Sequence, residues 1–491
     1  MSLTERPACH ASSGQLTLDF RPEARKIETN QAVILLQRTV LNGTQGEPMK
    51  NKSALNCIGV GGLLAVVSAS FLFALGPTSS ANAEERVDAS TLTGKLIAGY
   101  QGWFACPGDG ARLGWGHWRV DAHLTVDSLP DMTDFPASER CATDLKTADG
   151  QTIYLFSSYN AATLEHHFAW MEQYGIDGVA LQRFATGLMN PQVLEARDVQ
   201  LTRLTKAAED HGRIFFIMYD LSGLSSDKAS VVVEDWSRLE QRGVTRSAAY
   251  ARHRGHPLLA LWGLSFPNQV PIEPVDAARL IDSLNQASSA FGGITIFAGV
   301  PSYWRTHDHD ASRNKAWDAV WRRVGVISPW SVGRYTDAGS VDVYRRDVTQ
   351  KDLDATRQMG IDYMPVVYPG FSFANTSHAM HSAPPSKSNQ IPRNCGHFFW
   401  NQVHSALEAG ASMLYIAMFD ELNEGTAILK MLPTAPSAPI TGLPSEDTFV
   451  MLDADGCKLP SDWYLRLAGA ASTALHRGQR PTSELPLSLK P

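Results

Sequence analysis

The sequence predicts an α/β fold, a (β/α)8 TIM barrel with enlarged strand-to-helix loops, and three observations predict it. Between residues 95 and 478, eight short and nearly continuous apolar runs alternate with segments of helical period, as expected of parallel strands covered on both faces by helices. No repeat, low-complexity tract or Pro/Ser linker divides that stretch, so one domain is expected to span it. Carboxylates, amides and aromatic residues collect at the carboxyl ends of the runs, where such barrels carry their sites.

The runs occupy 96–103, 178–184, 213–220, 257–262, 293–299, 324–330, 362–368 and 411–419. Amphipathic segments lie between them at 163–174, 190–211, 228–242, 276–291, 340–359 and 398–409. The segment 163–174 stops at Gly175, a residue suited to ending a helix.

Ahead of the barrel, residues 1–48 show no sustained periodicity. Met49 then opens a basic segment through Lys52, an apolar run to about residue 75, and the small-residue site Ala81-Asn-Ala83. That order describes a secretory signal. Residues 1–48 are therefore expected to be a mis-annotated extension, 49–83 a signal peptide cleaved after Ala83, and 84–94 a short lead-in. The expected location is secreted or periplasmic, with no stable membrane insertion after cleavage. The Pro-containing tail 479–491 is expected to fray.

Cleavage leaves Cys106, Cys141, Cys395 and Cys457. Three pairings are possible in an oxidising compartment, and sequence order favours Cys106 with Cys141 and Cys395 with Cys457. Their spacing is too wide for a zinc finger. A net charge of -7 gives no nucleic-acid footprint.

The strand ends carry the chemistry. Tyr100 and Trp103 follow the first run, and its loop brings Trp115, His117 and Trp118. Arg183, Asp220, Trp262, Trp330 and Tyr368 end later runs. Aromatic faces suit the C–H faces of sugar rings while polar groups take the hydroxyls, so an oligo- or polysaccharide partner is expected. The run His307-Asp-His-Asp310 has metal-ligand spacing but no complementary pair at the first strand; a solvated loop, no metal and no cofactor are expected. His166-His167 reads as packed or exposed helix, and Asp453–Gly456 as a turn.

Asp420, Glu421 and Glu424 crowd the end of the last run. Carboxylates this close repel and resist burial, so a mere turn would more cheaply use Asn, Ser or Gly. Glu421 and Glu424 are three apart and would share a helical face, about 5–6 Å apart at Cβ. Such a pair can hold different protonation states, as acid/base work on a glycosidic bond requires. The plain alternative is an acidic helix start.

Glu421-Leu-Asn-Glu424-Gly-Thr resembles the Glu-Trp-His-Glu-Gly-Thr signature of endo-α-mannosidases and their α-glucanase relatives, glycoside hydrolase families 71 and 99. The stretches 99–104, 115–118, 175–184, 368–371, 392–400 and 463–466 are similar to the bacterial branch of that group, and the resemblance spans about 95–469. It implies Glu424 as general acid and Glu421 as general base. In the mannosidases that base takes the proton of the substrate's own 2-hydroxyl, giving a 1,2-anhydro sugar and net retention. An α-glucoside has that hydroxyl cis to the leaving group, so the same acids would have to direct water and invert. Asp420, Asp220, Arg183 and Tyr368 are expected to bind sugar or tune the acids.

Leu422 and Asn423 replace the family's Trp and His, which leaves the sugar open: α-mannoside, α-glucan, or a xylosidase/arabinosidase-type substrate. Asn423 itself is placed among the substrate-binding residues. A carbohydrate-binding barrel without activity is the remaining alternative, and oligomeric state is not legible.

Overall fold

The computed structural model describes residues 86–488. The expected extension, signal peptide and cleavage site lie outside the described residues.

Six strands of the main sheet are β1 Leu96–Tyr100, β2 Gly178–Phe184, β3 Ile214–Asp220, β4 His256–Trp262, β5 Thr295–Pro301 and β6 Val326–Trp330. β7 comes in two pieces, Asp362–Tyr363 and Val366–Val367, and β8 is Leu414–Ile416. Each of β1 to β6 pairs in parallel with the next, and β8 returns to lie parallel beside β1, Leu96 opposite Leu414. The first piece of β7 pairs with β6 and the second with β8. The break falls at Pro365, which has no N–H to give; its carbonyl still accepts from Tyr415 N at 3.0 Å. The result is a curled parallel sheet with helices outside, the α/β barrel type of fold.

The helices follow the expected pattern: α1 Ala161–Tyr174, α2 Pro191–Asp210, α3 Ser230–Gln241, α4 Pro274–Ser288, the short α5 Trp317–Trp321, α6 Ala338–Tyr344, α7 Gln350–Met359, α8 Ala374–Ala379, α9 His397–Glu408 and α10 Trp463–His476. Their ends have local causes. Gly175 closes α1 at φ 75°, Asn190 caps α2 by accepting from Gln192 N and Val193 N ahead of Pro191, and Asp337 forms a capping box on α6. A π-helical turn, Arg345–Thr349, joins α6 to α7.

Besides α5 and α8, which fall where no helical segment was expected, two elements depart from expectation. The sequence reading has no counterpart to α10, whose residues Trp463, Leu467 and Ala471 are buried. The tail from Gln479, expected to fray, is instead held: Trp400 Nε1 donates to Thr482 O at 2.9 Å, His404 Nδ1 lies 2.8 Å from Pro481 O, and Leu485 and Leu487 pack on the core. Both disulfides have the favoured pairing, Cys106–Cys141 and Cys395–Cys457. Among the described residues no helix is long and apolar enough to cross a membrane.

The loops after β1, β7 and β8 are long and fold on one another above the strand ends. The first carries a hairpin, Cys141–Lys146 with Thr152–Leu155. Asp127 in the same loop accepts from Ser372 Oγ, Ala374 N and Asn375 N of the β7 loop. Satisfying a buried carboxylate this way fixes the two loops together.

Candidate active site

The acidic stretch does turn. Leu422–Glu424 forms a single 3₁₀ turn closed by Gly425 at φ 61°. Glycine is required there twice over, by the left-handed φ and because a Cβ would come within 2.9 Å of Ser372 N. The turn brings Glu421 and Glu424 to one wall of a cavity, facing Asp220 from β3, Trp262 from β4 and Trp330 from β6. Gln101, Gln182, Phe184 and Ser222 complete the lining. Trp262 and Trp330 meet edge to face with centroids 5.6 Å apart, which sets two aromatic faces at right angles.

Both oxygens of Glu421 accept: Oε1 from Gln101 Nε2 at 2.8 Å and Oε2 from Thr426 Oγ1 at 3.3 Å. These donors favour the ionised form, yet burial, then Glu424, then Asp420 outweigh them and hold its pKa well above the ordinary value. Burial raises Asp220 to about 6 against the pull of the Ser222 N–H and hydroxyl. Asp420 is also raised to about 6 by burial, against two backbone donors, Gln101 N at 2.7 Å and Gly102 N at 2.8 Å.

Of the residues singled out from sequence, Glu421, Glu424, Asp220, Trp262 and Trp330 share the cavity. Several others do not reach it. Tyr100 is fully buried with its hydroxyl 2.8 Å from His167 Nδ1, whose pKa burial pushes down to about 3. Trp118 stacks on Phe104 and donates to Phe156 O, and Tyr368 donates to Tyr335 O at 2.6 Å. Each of these aromatics finds its polar partner inside the protein, so none has a group to offer a ligand.

Asp420 stands behind the wall on the backbone of Gln101 and Gly102. Asn423 turns away from the cavity, its Nδ2 donating to His117 O and Thr125 O at 2.9 and 2.8 Å. Arg183 is locked to Asp235 and Asp198. Trp115 packs half-buried against the core. Trp103 and His117 stack at 4.2 Å and line a second cavity next to the first.

The loop expected to be solvated is so at His309, which is exposed, but not at His307. His307 is buried against Asp318 at 2.8 Å, and the Asp310 carboxylate accepts from Ser302 N, Tyr303 N and Arg334. Among the described residues no group of three or more His, Cys, Asp or Glu side chains is placed to hold a metal ion. The Asp453–Gly456 turn is present, closed by Gly456 N to Asp453 O at 2.8 Å.

Four lining residues escaped the sequence reading: Gln101, Gln182, Phe184 and Ser222. Strand alternation was the available signal for two of them. Residues 182 and 184 must share one face and 183 take the other, so choosing Arg183 chose the outer face.

Comparison with known proteins adds the fold. No family model and no curated protein matches the chain. Among solved structures, the GH99 endo-α-mannosidase from Bacteroides thetaiotaomicron in complex with bis-tris-propane is similar at TM-score 0.55 and 15% identity, over 79% of this chain and 99% of that one. A second structure of the endo-α-mannosidase from the same organism gives TM-score 0.54, 14% identity and the same coverage. At such identities the likeness is one of fold: a glycoside-hydrolase-like barrel.

Proposed function

We propose that this chain is an exported glycoside hydrolase that cleaves α-linked glycans, in the manner of the family 99 endo-α-mannosidases, with Glu424 as general acid and Glu421 as general base. One observation carries the reading: two glutamates, both nearly fully buried, face one aromatic-walled cavity, and the charge of Glu424 raises the proton affinity of Glu421. Structural carboxylates would gain nothing from that arrangement, whereas acid/base catalysis needs it. The roles themselves rest on the resemblance of the acidic motif. Asp220, Gln101 and Gln182 would hold sugar hydroxyls while Trp262 and Trp330 cover the ring faces.

We read the curled sheet as the complete eight-stranded barrel spanning 95–478, with the segment Asp362–Val367 as the joint. The two disulfides support an oxidising compartment, in line with the signal read at 49–83. The deciding experiment is proton NMR of the first-formed anomer, with residues 84–491 acting on α-mannans, α-glucans and arabinoxylan. Retention on a mannoside, lost in Glu421→Gln and in Glu424→Gln, is the expected result. Inversion on a glucan would reassign Glu421 to activating water. Absence of turnover on any sugar overturns the enzyme reading.

A further inference from the structure

The cavity behind Trp103 shares Phe184 with the cavity of the paired glutamates. One side is apolar, formed by Leu113, Leu188, Val193 and Leu194. The other side is cationic. Arg197 lines it half-buried, and its two hydrogen-bond partners, Gly102 O and Gln200 Oε1, are neutral. Arg183 lines it too, with Arg238 and Arg242 behind, and these three guanidiniums share only Asp198 and Asp235. Positive charge is thus in excess around the cavity.

Two buried polar atoms beside it have no hydrogen-bond partner, Trp103 Nε1 and His117 Nδ1. Their side chains are 2% and 5% exposed, so water does not supply what the protein withholds. An indole N–H and a guanidinium can only donate. His117 is kept neutral, its pKa held well below the ordinary value by burial and by Arg197. Burial and Arg183 likewise bring Arg197 down to about 10 against the pull of Asp420, which leaves it charged at neutral pH and hydrogen-bonded to no carboxylate.

An occupant must therefore bring an acceptor, best an anionic one, on a body whose C–H face can lie against Phe184 and the leucines. We propose that this cavity is a subsite for a uronic-acid unit of the glycan, its carboxylate received by Arg197. The proposal rests on the glycoside hydrolase reading of the adjoining glutamates and adds the substrate class: a glycan bearing carboxylated sugars beside the bond to be cut. A neutral hexose would leave the donors and the charge uncompensated, which is the kind of mismatch that discriminates strongly.

Titration calorimetry on the 84–491 protein tests this with methyl α-glucuronoside, its neutral 6-methyl ester, and benzoate as a carboxylate without a sugar. The glucuronoside is expected to bind roughly tenfold more tightly than the ester. That preference should fall with added salt and vanish in Arg197→Met. It should persist in Glu424→Gln. Absence of an acid preference, whether both sugars bind alike or neither binds, overturns the proposal. So does a preference that survives Arg197→Met, or benzoate binding as tightly as the glucuronoside. Binding needs no turnover, so the two readings fail separately: hydrolysis lost in the glutamate variants without an acid preference removes only the subsite, and an acid preference without hydrolysis removes only the catalytic reading.

Discussion

Arg183 holds Asp235 through two parallel hydrogen bonds, Nε to Oδ2 at 2.5 Å and Nη2 to Oδ1 at 2.8 Å. Tyr219 donates to the same carboxylate at 2.6 Å, and Arg183 reaches Asp198 as well. Burial alone would lower the guanidinium's pKa, but Asp235 more than offsets it and the net direction is upward. The pair ties β2 to α3 beneath the site. Arg183→Gln leaves two carboxylates short of a partner, and we expect a loss of about 3–5 kcal/mol in urea unfolding. Arg183→Lys recovers little of this because an ammonium cannot copy the bidentate geometry. Unfolding energies within 1 kcal/mol of wild type would contradict the assignment.

Asp420 acts through Gln101. Its carboxylate fixes the backbone from which Gln101 reaches Glu421 Oε1. Asp420→Ala leaves two buried N–H groups unpaired, at a cost of about 2–4 kcal/mol. Displacing Gln101 should lower kcat roughly 100-fold with KM changing much less. Equal changes in kcat and KM, or none, would show that Asp420 does not position Gln101.

The same group sets a pH dependence. Burial raises Asp420 from 3.8 to about 6, so the folded chain binds this proton more tightly than the unfolded chain does. Its contribution to stability is full below about pH 4 and is lost as the pH rises through about 6, a change of roughly 3 kcal/mol. Asp220, raised to about 6 and partly exposed, adds a smaller contribution of the same sign. Unfolding energy measured across pH 4–7 should fall less steeply in Asp420→Asn. An unchanged slope would place the titration elsewhere.

Asn423 stands where the family's signature has His, and its amide serves the carbonyls of His117 and Thr125 and the Thr125 hydroxyl at 2.8–2.9 Å. Neutral imidazole has one N–H and cannot serve both carbonyls. Asn423→His and Asn423→Ala should each cost about 2 kcal/mol by thermal unfolding. Neither is expected to raise turnover on α-mannosides. A gain of activity in Asn423→His would mean that the side chain turns into the cavity.

What the sequence made legible follows from what periodicity encodes. The apolar runs place every strand of the main sheet, and the crowding of Glu421 and Glu424 marks the cavity because two acids have few other reasons to share a turn. Partnership across the fold is a different matter. Nothing local says that Tyr100 will spend its hydroxyl on His167, or that Arg183 will find Asp235 on a helix 52 residues later. The aromatics at 118 and 368 look like site residues for the same reason that they make good core: a large ring with one polar handle. Pro481 and Thr482 look like a frayed end until α9 supplies His404 and Trp400 to hold their carbonyls.

Gln101 and Asp420 lie 319 residues apart, and their contact closes the gap between the first strand and the last. A chain synthesised at about 5–20 residues per second exposes the β1 edge for roughly 16–64 s before β8 exists to cover it. Over that interval the two backbone N–H groups at the mouth have no carboxylate and β1 has one neighbour fewer. The strand that delivers the paired glutamates is thus also the one that ends the nascent chain's vulnerability to edge-to-edge association.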